Sequence, residues 1–326
     1  MQDILGLALA NLLSPMILCF ALGLFAALAR SELTVPEAAA KALSIYLLFA
    51  IGFKGGVAVA DHGVDARLLA ALGAGVALSF ALPFVAFALL RAMTRLSTTD
   101  AAAVAAHYGS ISIVTFVTGA SVLTSQGIAS EGYMVAVAAA MEAPAIISAL
   151  WLARRAGSGA ERMDAELWRE ILLNGSIVLL VGAFVIGMVT GQDGMARIES
   201  FIVSPFQGVL CLFLLDMGLV AGRGLRASRG VLSLGAVGFG FVMPVIGAAA
   251  GLVAGMILGL STGGVALMMV MAASASYIAV PAAMRVALPE ANPSVYLTLS
   301  LGVTFPFNLT LGIPAYVAVA QAVTGG

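Results

Sequence analysis

Ten long apolar segments follow one another along the chain, and they constrain its fold more than any other feature. A helix needs about 20 apolar residues to cross roughly 30 Å of hydrocarbon, and each segment is about that long or longer. The segments cover residues 4–29, 36–60, 67–93, 99–126, 131–153, 168–190, 200–222, 229–257, 262–288 and 294–321. Because 62% of the residues are hydrophobic, one soluble core could not bury them, and we predict an all-α membrane protein in a lipid bilayer.

Charge and motifs exclude several classes of protein. The net charge of −1 gives no reason to expect a polyanionic partner such as nucleic acid. Cys19 and Cys211 lie within apolar segments and show no spacing typical of a metal site or a disulfide framework. The sequence has no HExxH motif, and its two histidines, His62 and His107, lie in different regions. We therefore predict that the protein is not an enzyme and needs no cofactor.

The chain divides into two halves at its one long polar stretch. Residues 154–167 separate the fifth apolar segment from the sixth, and we interpret them as a linker. Glycines and prolines recur at an offset of 161 to 166 residues: Gly52 with Gly218, Gly56 with Gly222, Pro83 with Pro244, and Pro144 with Pro306. Because each half has an odd number of spans, the second half enters the membrane from the opposite side. The sequence predicts two inverted five-helix repeats, residues 1–153 and 168–326.

Basic residues predict the orientation of the spans. With the N-terminus outside, twelve Lys and Arg residues fall on the cytoplasmic side, and two, Arg67 and Arg197, fall on the other side. The twelve are Arg30, Lys41, Arg91, Arg95, Arg154, Arg155, Arg162, Arg169, Arg223, Arg226, Arg229 and Arg285. We therefore expect both termini to be extracytoplasmic and the linker to be cytoplasmic.

Two apolar segments carry a polar interruption at equivalent positions. Segment four contains GSIS at residues 109–112, and segment nine contains ASAS at residues 273–276. Glycine loosens a helix and serine side chains compete for backbone hydrogen bonds, so both helices are predicted to break there. About eleven residues precede each break, which at 1.5 Å per residue reaches roughly half of the bilayer. We expect helices 4 and 9 to be broken and to cross at the midplane.

The two breaks form a candidate site for a small anion. The second half-helices begin near Ser112 and Ser276, where unbonded N–H groups and positive dipole ends favour negative charge. The residues assigned to the anion are Gly109, Ser110, Ser112, Ser274, Ser276 and Tyr277. For either stretch alone, close helix packing by small residues is an equally good interpretation. Their equivalent positions in an inverted repeat favour a site.

Polar residues inside other spans are candidates for ion coupling, because they are costly in hydrocarbon. Glu142, two residues before Pro144, is interpreted as a cation ligand or proton carrier, with a packed or paired carboxyl as the alternative. Thr304 and Asn308 flank Pro306, and either the midplane site or helix contacts explain them.

Three further ionisable residues have mainly structural interpretations. Lys54 and Asp216 are offset by 162 residues, and we expect them to pair across the two halves. His107 borders the first break, where a hydrogen-bonded imidazole is favoured over a proton relay.

Three stretches of the sequence resemble a known family. They lie at residues 33–59 (LTVPEAAAKALSIYLLFAIGFKGGVAV), 105–120 (AAHYGSISIVTFVTGA) and 272–314 (AASASYIAVPAAMRVALPEANPSVYLTLSLGVTFPFNLTLGIP). The most specific part is ALPEANPSVY at residues 287–296. On these residues the chain resembles the sodium-dependent bicarbonate transporter family, as a proteobacterial-like variant of the cyanobacterial-type permease. The resemblance implies a core domain of helices 3–5 and 8–10 and a gate domain of helices 1–2 and 6–7. It also implies bicarbonate bound where helices 4 and 9 cross, sodium coupling, and a homotrimer in the bacterial inner membrane.

The site residues carry over from the family only in part. Ser112, Thr115, Ser274 and Ser276 match its pattern, so Thr115 joins the residues assigned to the substrate.

The cation-binding residues and the regulator also carry over from the family only in part. Glu142 stands where the cyanobacterial members have Asp, and sodium is assigned to Glu142 with Thr304, Asn308 and Ser112. Tyr277 lies in the region where those members carry an acidic residue, and its phenol is a poorer ligand for a hard cation. The cyanobacterial members are regulated by a PII-like trimer on the cytoplasmic side, and the shorter linker here leaves that partner open.

These patterns lead to one main hypothesis and one alternative. The main hypothesis is a secondary active transporter that takes up bicarbonate with sodium by alternating access. The alternative is a proton- or sodium-coupled carrier of another small monovalent anion or organic acid, with Glu142 or His107 as the proton site. Either protein binds its anion and its coupling ion and has no catalytic residue.

Overall fold

The computed structural model describes residues 13–63, 65–155, 169, 173, 175–227 and 232–325. Every regular element in these ranges is helical, and eight helices are long and apolar enough to cross a membrane. The prediction of an all-α, multi-pass membrane protein is therefore confirmed. Residues 1–12 of the predicted first repeat and most of the predicted linker at 154–167 lie outside the described residues.

The helices are numbered here in chain order. They are α1 (Pro15–Leu28), α2 (Glu37–His62), α3 (Ala66–Met93), α4 (Thr98–Gly109), α5 (Ile113–Ser125), α6 (Met134–Ala140), α7 (Pro144–Arg155), α8 (Gly175–Ile202), α9 (Phe206–Ala227), α10 (Leu234–Ile257), α11 (Thr262–Ala273), α12 (Ala279–Ala287) and α13 (Pro293–Thr324). The last of these contains wide π turns at Thr298–Thr304 and Asn308–Gly312.

Eight of the predicted spans correspond to the eight long apolar spans of the structure, the sixth of them with different bounds, and the first and ninth do not. The first predicted span is described only from residue 13, and its helix α1 has 14 residues. The ninth is divided into α11, with 12 residues, and α12, with 9, so neither part crosses a bilayer alone.

The sixth predicted span has different bounds in the structure. The sequence places its end at residue 190, but α8 continues to Ile202 after a kink at Gly191. Gly191 has φ 55° and ψ −149°, a backbone conformation that glycine adopts at little cost. The apolar pattern therefore ends where the helix changes direction, and the polar stretch that follows forms a further helical segment.

Helices α1, α2, α8 and α9 form two closely packed pairs, α2 with α8 and α1 with α9. A Cβ atom on Gly52 or Gly56 would collide with the backbone of α8, and one on Gly218 or Gly222 would collide with α1. Only glycine allows the helix axes to come this close. The glycines matched between the halves in the sequence therefore allow close helix packing in both pairs.

The expected pairing of Lys54 with Asp216 is wrong. The Lys54 ammonium lies 4.4 Å from the centre of the Phe206 ring, and among the described residues it makes no ion pair. The apolar face of an aromatic ring attracts a cation through its quadrupole, so Phe206 replaces the carboxylate as the partner.

The remaining helices pack around α4, α5 and α11, which are buried along most of their length. Residues 101–109 of α4 and 263–273 of α11 are all buried. Helices in this position do not meet lipid, so their polar interruptions can be satisfied by neighbouring protein groups.

Two equivalent contacts tie the ends of these buried helices to loops of the other half. At the start of α4, the Asp100 carboxylate accepts a hydrogen bond from the Asn292 N–H at 2.7 Å. At the start of α11, the Glu131 carboxylate accepts from the Ser261 N–H at 2.7 Å and from its hydroxyl at 2.9 Å. In each case an acidic side chain lies at a helix N-terminus, where the dipole favours negative charge.

The substitution Glu131→Ala is expected to lower the free energy of unfolding by about 1–2 kcal/mol, because the N-terminus of α11 loses its acceptor and its compensating charge. Denaturant unfolding of the purified protein in detergent measures this change. Glu199→Ala, on the exposed side of α8, is the matched control and should leave stability nearly unchanged. Equal effects of the two substitutions would contradict a capping role for Glu131.

Candidate functional site

The two breaks predicted at segments four and nine are present and are bonded to each other. Helix α4 ends at Gly109 and α5 begins at Ile113, while α11 ends at Ala273 and α12 begins at Ala279. The Ser112 N–H donates to the Ser274 hydroxyl at 2.8 Å, and the Ser276 N–H donates to the His107 carbonyl at 2.7 Å. The two interruptions therefore lie directly against each other.

Side chains satisfy the carbonyl groups at the end of α11. The Ser274 hydroxyl donates to the Met271 carbonyl at 2.8 Å, and the Asn308 amide donates to the Ala273 carbonyl at 2.9 Å. Asn308 is itself held by the Tyr316 hydroxyl, which donates to its side-chain oxygen at 2.9 Å. Asn308, one of the residues assigned to a cation, thus supports the end of α11.

A small enclosed cavity lies between the starts of α5 and α12. Its volume is about 10 Å³, roughly the room of one water molecule. The residues that line it are Ile111, Ser112, Ile113, Glu142, Ser176, Ser276, Tyr277 and Ile278. A polyatomic anion needs more space, so it can enter only if the walls move apart.

Both half-helices begin at the wall of this cavity. Ser112 caps α5, where its hydroxyl accepts the Thr115 N–H at 3.2 Å, and Ile278 precedes the first turn of α12. The first N–H groups of any helix have no partner within the helix, and the dipole gives that end positive character. Two such ends converge on one small space, an arrangement that suits a negative charge.

A third break carries Glu142 into the same cavity. Helix α6 ends at Ala140 and α7 begins at Pro144, so residues 141–143 are not helical. The Ser110 hydroxyl donates to the Glu142 carboxylate at 2.9 Å, and the Ser79 hydroxyl donates to the Met141 carbonyl at 2.6 Å. We had not predicted this break, although Pro144 signals it, because proline disfavours the α conformation in the residue before it.

Other residues assigned from the sequence lie outside the cavity wall. Gly109 packs against Pro83 and Ala145, so a Cβ atom there would collide with both. Thr304 donates to the Gly240 carbonyl at 2.7 Å and accepts from the Tyr108 hydroxyl at 2.6 Å. Both residues therefore support the helices around the breaks.

The His107 side chain also lies outside the cavity wall. Its Nδ1 donates to the Ala103 carbonyl at 2.7 Å, and its ring stacks on Tyr296 at 4.5 Å. Its Nε2 is buried and has no hydrogen-bond partner among the described residues. The imidazole is therefore hydrogen-bonded, as the favoured interpretation expects, but through Nδ1 and not through Nε2.

Sequence reasoning missed four residues of the cavity wall. Ile111, Ile113 and Ile278 are apolar residues beside the serines, and no polar signal distinguishes them. Ser176 comes from α8, a helix of the other packed group, and only its hydroxyl near the start of an apolar span could have pointed to it. The cavity is therefore bounded by both groups of helices.

A second and much larger cavity, of about 660 Å³, lies next to the first. Its wall includes Arg223 of α9, Arg285 of α12 and residues of α13 between Pro293 and Gly302. Tyr277 and Ile278 line both cavities. Both arginines belong to the set that the sequence predicts to be cytoplasmic.

The opposite end of the protein has a smaller cavity of about 300 Å³, whose wall includes Ala58, Gly132 and Ser261, and two close contacts lie beside it. A Cβ atom on Gly132 would collide with Ala58, and one on Gly55 would lie 2.8 Å from the side chain of Val135. These contacts join α2 to the start of α6.

Comparison with known proteins identifies the family of this chain. Residues 15–321 match the family described as the Na+-dependent bicarbonate transporter superfamily. This match covers nearly the whole chain. No curated protein of known function matches the sequence. Because the match extends over both groups of helices and all three breaks, the chain belongs to the Na+-dependent bicarbonate transporter superfamily.

Proposed function

We propose that this protein is a secondary active transporter that carries bicarbonate into the bacterial cell together with sodium. Its family is one of transporters, and the helices provide a multi-pass membrane protein. The observation that carries the proposal is the convergence of two half-helix starts and one carboxylate on a single enclosed cavity. Positive helix ends suit the anion, and the carboxylate suits the cation.

The anion is bound mainly by the first turns of α5 and α12. Ser112 and Ser276 line the cavity, and Ser274 holds the backbone of Ser112 in place through its hydroxyl. Backbone N–H groups that point at a fixed position bind an anion without side-chain reorganisation. Ser110 supports the site through Glu142, and Thr115 supports it through the cap of α5.

The cation is bound by Glu142 and nearby oxygen atoms. Glu142 is only 5% exposed and accepts a hydrogen bond from Ser110, which places two oxygen-bearing groups together. Hard cations prefer such oxygen ligands. Among the described residues no three His, Cys, Asp or Glu side chains cluster, so the remaining sodium ligands would be hydroxyl and carbonyl oxygens. An anion and a cation in adjacent sites attract each other, and this couples their binding.

Alternating access follows from a ten-helix inverted repeat. The matched glycines of the two helix pairs and the matched contacts of Asp100 and Glu131 support such a repeat. The core domain, helices 3–5 and 8–10 of the ten predicted spans, would move against the gate domain, helices 1–2 and 6–7. The cavity of about 660 Å³ shares Tyr277 and Ile278 with the candidate site, whereas the cavity of about 300 Å³ at the other end shares no residue with it, and this difference favours an inward-facing state.

Topology and assembly complete the proposal. Both termini are extracytoplasmic by the distribution of basic residues. A homotrimer and a PII-like cytoplasmic regulator are proposed from the family resemblance alone. Cross-linking of the purified chain tests the homotrimer. Co-purification with a PII-like protein tests the regulator.

Uptake of labelled bicarbonate into proteoliposomes tests the transport function. An inward sodium gradient is expected to raise the initial rate well above the rate with an equal choline gradient, because the sodium gradient supplies the free energy. Liposomes without protein provide the background. Equal rates in sodium and choline would contradict sodium coupling, and a rate no higher than background would contradict bicarbonate transport.

A proton- or sodium-coupled carrier of another small monovalent anion or organic acid is the second candidate. One observation favours it: Tyr277 lines the cavity in the region where cyanobacterial members have an acidic residue, so fewer charged ligands remain for sodium. Competition of acetate and formate with labelled bicarbonate distinguishes the substrates. Strong inhibition by either acid would favour the second candidate.

A further inference from the structure

Tyr277 stands between the two cavities. It lines the enclosed cavity of about 10 Å³ together with Ser112, Ser276 and Glu142, and it also lines the cavity of about 660 Å³. Among the residues that the structure describes, Ile278 alone shares this double position. A side chain that lines two adjacent cavities separates them. The wall between the anion site and the large cavity is therefore about one side chain thick at this point.

The hydroxyl of Tyr277 is unusual because it is buried without a hydrogen bond. The residue is 8% exposed, and its hydroxyl lies near the Ser112 side chain. No group among the described residues meets it in hydrogen-bond geometry. Burying an unpaired hydroxyl costs free energy, so such groups are rare unless a ligand completes them.

The ring of Tyr277 is held by another aromatic side chain. It packs edge-on against Phe305 of α13, with ring centres 5.3 Å apart. Phe305 in turn packs edge-on against Phe20 of α1, at 5.4 Å. Phe305 therefore connects Tyr277 to a helix of the other group, so relative motion of the two groups would change the support of the ring.

We propose that Tyr277 is the inner gate of the anion site and that its hydroxyl is a hydrogen-bond donor to the bound anion. The ring closes the enclosed cavity against the large one. When an anion occupies the site, the hydroxyl gains the acceptor that it lacks. Release toward the large cavity requires the ring to swing away from Phe305. The role of the hydroxyl rests on the proposed function, whereas the role of the ring as a partition does not.

Reaction of a cysteine placed inside the small cavity tests the partition. The reporter is Ile113→Cys in a chain with Cys19→Ala and Cys211→Ala, purified in detergent and treated with an anionic, water-soluble methanethiosulfonate. Adding Tyr277→Ala is expected to raise the rate of reaction about 10-fold or more, because the rate follows the open population. Leu301→Ala is the matched control, because Leu301 lines only the large cavity. An unchanged rate with Tyr277→Ala, or an equal rise with Leu301→Ala, would overturn the partition.

Tyr277→Phe tests the hydroxyl while it keeps the ring. Because the hydroxyl has no partner without a ligand, the melting temperature should stay the same or rise. Cysteine reaction should remain slow, and bicarbonate binding, measured by calorimetry, should weaken about 10- to 100-fold. A lower melting temperature or unchanged bicarbonate affinity would overturn the role of the hydroxyl. If the original chain binds no bicarbonate, the proposed substrate fails while the cysteine experiment still decides the partition.

Discussion

Replacing Glu142 with Gln is expected to weaken sodium binding by a factor of about 100 or more, because the attraction between two unit charges 4 Å apart is about 4 kcal/mol in a partly screened protein site. Gln keeps an oxygen that can accept the Ser110 hydrogen bond and has nearly the same size, so the packing of the break should persist. The substitution therefore removes the charge and little else.

Thermal unfolding in increasing sodium chloride measures this loss directly. A bound cation stabilises the folded state as its concentration rises, so the melting temperature of the original chain should climb in sodium chloride but not in choline chloride. Glu142→Gln should abolish the difference. Glu290→Gln makes the same chemical change at an exposed position and is the control. A variant that still responds to sodium would show that Glu142 is not the cation ligand.

The same variant distinguishes proton coupling from sodium coupling. If Glu142 carries the proton, Glu142→Gln should transport at a rate that no longer depends on pH while anion binding is retained. The original chain is measured at each pH beside the variant, because the supply of bicarbonate itself changes with pH. If neither the sodium response nor the pH response changes, Glu142 is a structural residue and takes part in neither sodium coupling nor proton coupling.

Replacing Gly247 with Leu is expected to prevent normal folding, with a loss of stability above about 3 kcal/mol, the usual upper range for overpacking. A Cβ atom on Gly247 would collide with the carbonyl group of Ala272, and one on Gly251 would lie 2.8 Å from the Cα atom of Met269. These contacts seat α11 against α10 immediately before the second break. Because the obstacle is backbone and not a flexible side chain, the helices must move apart.

Melting temperature and gel-filtration profile measure the effect of Gly247→Leu. Gly73→Leu is the matched control, since Gly73 lies on the exposed side of α3 and a Cβ atom there meets nothing within 4 Å. Its melting temperature should remain close to that of the original chain. If the two variants have the same melting temperature, close packing against α10 does not hold α11 in place.

The site shows how a membrane protein can keep broken helices inside the hydrocarbon region. Each exposed backbone group tends to cost several kcal/mol in lipid. Here Ser274, Asn308 and Ser79 donate to carbonyl groups at the breaks, and the backbone of Ser276 bonds to that of His107. The backbone around the cavity is therefore held in place by hydrogen bonds, and fixed polar groups of this kind suit ion binding.

Local features of the sequence were sufficient to predict the breaks in segments four and nine. Serine and glycine disturb a helix wherever they cluster, so GSIS and ASAS located the interruptions without knowledge of neighbours. The break at Glu142 was missed because an apolar run with one proline also fits a simple kink. The pairing of Lys54 with Asp216 failed for a related reason. An offset of 162 residues indicates equivalent positions but not which side chains meet, and the Lys54 ammonium lies over the Phe206 ring.

The sequence by itself determined that the chain is helical, crosses a membrane several times and interrupts two helices at serine-rich stretches, since these properties depend on hydropathy and local backbone preference. Only the tertiary structure decided which groups share a space. Ser176 lies on α8, yet it reaches the same cavity as Ser112 and Glu142. Tyr277 separates that cavity from a larger one. Contacts between residues far apart in the chain depend on how helices pack, and helix packing depends on the shapes of all their side chains together.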